Sequence, residues 1–214
     1  MRKSTLCLLF VFLSAAALAQ TLASARLAPP SGLPTNAAEP GAQSWFAVYG
    51  RCRDAIRTQK IRNQLDLCKQ AVDLALKAGD KTPPDQIALL QSWESYGQAL
   101  LVIGRGPDAL DAENKAVSVA KAHLADTSQE YAMPFYWRAL VESHFHDGGA
   151  ASDDLTTAEN TYRRAITASP RMKPIYAEYL ARILRQHAAL LDAMGKSTDA
   201  DKLRAEATQL QARS

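Results

Sequence analysis

Three pairs of alanines with one internal spacing constrain this chain more than any other feature: Ala109 and Ala116, Ala158 and Ala165, Ala200 and Ala207. Seven residues is close to two turns of α-helix, so each pair marks a single helix face. Small residues repeated on one face let a second helix approach closely, which predicts repeated helix pairs rather than helices around a sheet. The rest of the chain agrees. Ala, Leu, Gln, Lys and Arg dominate, and no window alternates with the two-residue period of a half-buried strand. Helices are expected at 41–58, 62–78, 84–103, 107–123, 128–146, 153–168, 172–194 and 197–212, separated by "GDKTPP", "GRG", "ADTS", "DGGAAS", "SPR" and "GK". Paired in order, they form four hairpins.

Working upstream from each alanine pair exposes a longer pattern. The second hairpin reads Trp93-x2-Tyr96-Gly97-x2-Leu100-x3-Gly104-x4-Ala109-x6-Ala116. The third reads Trp137-x2-Leu140-Val141-x2-His144-x3-Gly148, a five-residue insertion, then Ala158-x3-Tyr162-x2-Ala165-x4-Pro170. The fourth reads Leu184-x2-His187-Ala188-x2-Leu191-x3-Gly195-x4-Ala200-x6-Ala207. These strings resemble the tetratricopeptide repeat, whose signature is W-x2-L-G-x2-Y, then A-x3-F, then P. Glu113 stands where the second hairpin should carry its second-helix aromatic, and Leu184 replaces the tryptophan of the fourth. Copies recur at 45, 49 and 42 residues, from Ala71 to Ala116, Ala165 and Ala207. That spacing resembles the longer repeats, of roughly 42 residues, of kinesin light chains.

The resemblance implies an all-α fold: a right-handed solenoid of antiparallel helix pairs with three clear repeats and one degenerate hairpin at the N-terminus. Val48, Arg51, Cys52, Ala55, Gln64, Cys68 and Ala71 occupy the motif positions of that first hairpin, a poor match typical of a terminal repeat. In this register Trp93, Leu100, Trp137, Tyr162 and Leu191 fill the grooves beside the small residues, and Gly104, Gly148 and Gly195 end the first helices. Pro134 falls inside a helix and predicts a bend. In the second hairpin Trp93 faces Ala116 and Leu100 faces Ala109. Moving those pairs back by 45 residues brings Cys52 and Cys68 within one residue of facing each other, so a disulfide between them is expected.

The N-terminus reads as a targeting segment. Met1-Arg2-Lys3 precedes an apolar run from Leu6 to Leu18, and Ala17-Leu18-Ala19 has the small-x-small form of a signal-peptidase site. Residues 1–19 are therefore expected to be a signal peptide, with Ala23-Ser24-Ala25 as a second site that would move cleavage to 25. The run is short of the twenty or so residues that span a bilayer, which leaves an uncleaved anchor as the second reading. Cys7 lies too early for a lipoprotein acceptor. Residues 20–39, with Pro29, Pro30 and Pro34, read as a Pro/Ala-rich linker, and residues 40–213 as one helical domain. Loss of Arg2 and Lys3 lowers the formal charge from +3 to +1, which offers no electrostatic footprint for nucleic acid. Export to a bacterial periplasm, or secretion, is the expected destination.

No nucleophile elbow, phosphate loop, CxxC pair or HExxH helix is present, so neither catalysis nor a cofactor is expected. "HFHD", His144 to Asp147, is the best metal candidate, but residues two apart on a helix diverge by about 200° and His144 holds a packing position. The resemblance implies instead a non-enzymatic scaffold that binds a peptide or protein partner in the cell envelope along its first helices. A small metal-handling or enzymatic accessory protein on the same helices is the alternative. Stepping one residue from the packing positions gives the expected groove: Phe46, Tyr49, Arg53, Glu94, Gln98, Phe135, Arg138, Glu142, Arg182 and Arg185. Aromatics at one end suit an apolar peptide segment, and Arg182 and Arg185 at the other suit a carboxylate.

Overall fold

A computed structural model describes residues 44–63, 65–145 and 147–212. The expected signal peptide, the linker and His146 lie outside the described residues. Among the described residues eight α-helices run in order: α1 (Trp45–Arg57), α2 (Leu65–Ala78), α3 (Pro83–Val102), α4 (Gly106–His123), α5 (Gln129–His144), α6 (Gly148–Ala168), α7 (Lys173–Ala193) and α8 (Ser197–Ala212). Single 3-10 turns, Ile61–Asn63 and Pro170–Met172, precede α2 and α7, and there is no strand among the described residues.

The helix starts are written in short polar side chains that satisfy first-turn amides. Ser44 accepts from the Ala47 N–H at 3.3 Å, Ser128 from Tyr131 at 3.1 Å, and Asp147 from Ala150 at 3.2 Å. Thr82 accepts from Asp85 at 3.4 Å, and Pro83 and Pro84 follow it where a missing N–H costs nothing. Gly104 and Gly195 close α3 and α7 in the left-handed region, at φ +82° and +76°. Gly148 does not act this way. α5 has already ended at His144, and Gly148 opens α6, so the expected loop insertion is more than a turn of extra helix begun by the Asp147 cap. α5 also continues through Pro134 to its end.

Each helix packs along its sequence neighbours, and α1, α3, α5 and α7 also touch one another in turn. Second helices of successive hairpins meet far less, so the first helices share one layer of a helical solenoid. Ala109, Ala116, Ala158, Ala165, Ala200 and Ala207 are all buried, as close approach requires. The largest core cluster joins α4 through α8 around Trp137, Leu140, Leu155, Tyr162 and Leu184. Tyr162 stacks on Tyr179 at 5.8 Å between ring centroids, meets Tyr176 edge-on at 6.0 Å, and donates to Met133 Sδ at 3.4 Å. Cys52 and Cys68 are bonded, with Sγ atoms 2.09 Å apart, in a separate cluster with Ala55, Ile56, Ile61 and Ala99.

One joint recurs between hairpins. The residue after α5, Phe145, lies over Gly106, where an added Cβ would sit 1.4 Å from the ring. The residue after α7, Met194, covers Gly148 in the same way, its sulfur 3.1 Å from such a Cβ. Each first-helix end is thus locked onto the start of the preceding second helix.

Candidate functional site

The inner layer holds most of the polar groups that the core buries. α1 is seated on α3 by the Trp45 indole N–H, which donates to Ser92 Oγ at 2.8 Å while Ser92 donates to the Ala88 carbonyl at 2.7 Å. Tyr49 stacks on Trp45 at 4.8 Å. Burial raises the pKa of its phenol; the positive Arg53 opposes that shift and Glu94 adds to it. Tyr49, Arg53 and Glu94 therefore act on one another across the α1–α3 joint. Glu94 is only 6% exposed, its Oε1 has no hydrogen-bond partner, and burial pushes its pKa to about 8 against the pull of Arg53. At neutral pH this carboxyl is mostly uncharged, able to donate and accept a hydrogen bond rather than to present an anion.

Behind it, Glu113 of α4 is fully buried with neither oxygen partnered. It occupies the position where the repeat expects an aromatic, and the missing side chain of Gly97 makes its room: a Cβ there would lie 2.4 Å from Glu113 Oε1. Burial, reinforced by Glu94, holds its pKa well above the carboxylate range. Gln98 beside them is buried with its Nε2 unpartnered.

The middle of the expected groove is engaged in packing. Arg138 of α5 donates to both Asp154 oxygens, at 2.6 and 2.7 Å, and to Asn114 Oδ1 at 2.9 Å, clamping α4, α5 and α6 together. Glu142 lies 3.7 Å from the same guanidinium, but burial and the Asp154 charge outweigh it and lift the Glu142 pKa to about 7. Phe135 is 3% exposed and packs against Tyr131, with Lys121 of α4 over its ring at 5.5 Å. The ends differ. Phe46 is 52% exposed and Arg185 is exposed, while half-buried Arg182 lies 5.7 Å over the Tyr179 ring. Burial pushes the Tyr136 phenol to about 12, with Arg182 opposing.

Three polar side chains that no sequence motif marks meet between α6 and α7. His187 Nε2 is 2.8 Å from Ser152 Oγ, and its Nδ1 is 2.7 Å from Glu159 Oε1. Sequence reading passed over this trio because its members are 35 and 28 residues apart. The available signal was register: Glu159 follows the motif alanine Ala158, and His187 precedes Ala188, so both border the close helix contact.

No family model matches the sequence, and no curated protein does. Among solved structures, a Podosopora anserina putative kinesin light chain of nearly identical TPR-like repeats is 12% identical, covering 78% of this chain and 95% of its own, at a TM-score of 0.49. MamA is 16% identical, covering 73% of this chain and 94% of its own, at 0.34. The stacked first helices and in-register alanine faces carry the conclusion on their own. The fold is that of a TPR-like helical solenoid. No helix among the described residues is long and apolar enough to cross a membrane.

Proposed function

We propose that this chain is an exported scaffold of the cell envelope, most simply of a bacterial periplasm, and that it holds a peptide or protein partner along the layer formed by α1, α3, α5 and α7. The observation that carries the reading is the mutual contact of those four helices, which gives the chain one continuous ledge. Phe46 and Tyr49 stand at one end of it and Arg182 and Arg185 at the other. An extended segment with an apolar residue and a carboxylate suits those two ends. The Cys52–Cys68 bond supports an oxidising destination, in keeping with residues 1–19 as a signal peptide.

The test is affinity capture from envelope extract with the mature domain as bait, beside the Arg182→Glu/Arg185→Glu variant. Arg185 is exposed and Arg182 half-buried, so the variant is expected to fold with an unchanged helical signal. Loss of a specifically retained partner at physiological salt supports the ledge as the site. Undiminished capture by the double variant removes its arginine end from the proposal.

A further inference from the structure

Independently of any partner on the ledge, we propose that Ser152, His187 and Glu159 form a reactive-serine site that accepts acyl groups from small carboxylic esters. One tautomer of His187 serves both contacts and gives them a direction of proton flow. An ionised Glu159 only accepts, so the proton on His187 Nδ1 points to its Oε1, 2.7 Å away. In neutral imidazole Nε2 then bears the lone pair, and the hydroxyl 2.8 Å from it must donate: Ser152 gives its proton toward a base. This is the connectivity by which a serine is made nucleophilic, with an acid orienting the imidazole. Glu159 is itself held, its Oε2 lying 3.4 Å from Arg163, whose guanidinium also bonds Glu206 of α8 at 2.9 and 3.1 Å.

The surroundings suit an approaching ester. His187 and Glu159 are buried, whereas Ser152 is half-buried. Ser152 lies in the second turn of α6, and Gly148 and Gly149 precede it by four and three residues on the same helix face. First-turn amides lack intrahelical acceptors. Asp147 takes those of Ala150, through Oδ1, and Ala151, through its carbonyl, while helix geometry assigns none to Gly148 and Gly149. A Cβ on Gly149 would meet nothing closer than Asp147 Oδ1, at 3.8 Å, so there is open space beside that residue of the first turn.

The chemistry needs only ester and water. Ser152 Oγ bonds to the acyl carbon as its proton passes to His187 Nε2, and Glu159 stabilises the imidazolium. The carbon–oxygen bond of the ester breaks and the leaving alkoxide takes the proton from Nε2. Water then attacks the acyl carbon and gives a proton to Nε2; the bond from that carbon to Ser152 Oγ breaks, Oγ takes the proton back from Nε2, and the carboxylic acid leaves.

The test treats the full-length, disulfide-intact protein with a fluorophosphonate probe and with p-nitrophenyl acetate, followed by intact mass and peptide mapping. A single adduct on Ser152 is expected, absent in Ser152→Ala and formed about a hundredfold more slowly in Glu159→Gln. Glu159 positions the base, so its variant separates a relay from a bare serine, and circular dichroism confirms that each variant is folded. No Ser152 adduct on the folded wild type overturns the proposal and leaves the trio as a polar tie between α6 and α7. A Ser152 adduct that forms equally fast in urea-unfolded protein, or in folded Glu159→Gln, overturns it too.

Discussion

Replacing Glu94 with glutamine keeps the shape of a buried side chain and removes its titration, so it reads directly what burial does to that carboxyl. In the folded chain its pKa is near 8, against an ordinary value of 4.5. A raised pKa means that the folded state holds the proton more tightly than the unfolded one. The stability this contributes is complete below pH 4.5 and is lost as pH climbs through 8. Between pH 5 and pH 8 the loss from this group is about 3 kcal/mol, since each pKa unit is worth about 1.4 kcal/mol. Glutamine has no such loss. Urea unfolding of wild type and Glu94→Gln at both pH values is the assay. The two are expected to lie within about 1 kcal/mol at pH 5, where the protonated carboxyl, like the amide of the same shape, carries no charge. At pH 8 the variant should be the more stable by about 3 kcal/mol.

Glu113 and Glu142 also carry raised pKa values from burial, so the wild type and the variant should both lose stability toward alkaline pH. The difference between them reports Glu94 together with the part of the Glu113 shift that the Glu94 charge causes. Parallel pH profiles would refute the reasoning, because they would mean that the carboxyl ionises as it does in water and that the α1–α3 joint is wet.

Gly106→Ala places a methyl group inside the Phe145 ring, so the ring must leave its seat. A loss of about 1–3 kcal/mol is expected, partly restored by Phe145→Ala in the same chain, and additive losses in the double-mutant cycle would contradict the joint. Removing the first-hairpin staple with Cys52→Ser/Cys68→Ser should cost about 3 kcal/mol for a loop spanning 16 residues, measured as a lowered denaturation midpoint; two free thiols in denatured wild type would show the staple absent.

The repeat was legible because it rests on small side chains, whose spacing survives the loss of consensus aromatics. Helix boundaries followed from the breakers wherever glycine reached the left-handed region, as at Gly104 and Gly195. They failed at Gly148-Gly149, where two glycines read as a loop but the Asp147 side chain caps a helix that starts on them. The expected groove was less legible, for a physical reason. A residue one step from a packing position turns by about 100° on the helix, onto a flank rather than onto the open face. In an interior hairpin the next repeat can cover that flank, which is how Glu94, Gln98 and Phe135 come to be buried.

At the ends of the described stack one flank has no neighbour among the described residues. The same one-step rule there leaves Phe46 and Arg185 in solvent, so the rule locates exposed positions only where a solenoid stops. The covered flank also gives Glu113 its meaning. A consensus aromatic at this position would fill the space beside Gly97 with apolar surface, as Tyr162 fills its own hairpin. A glutamate occupies that space only by staying protonated, because an ionised carboxylate with no partner at full burial costs several kcal/mol. The departure from the repeat at residue 113 and the buried acid at residue 94 are therefore one feature: each would raise the cost of ionising the other, so the pair resists charging together.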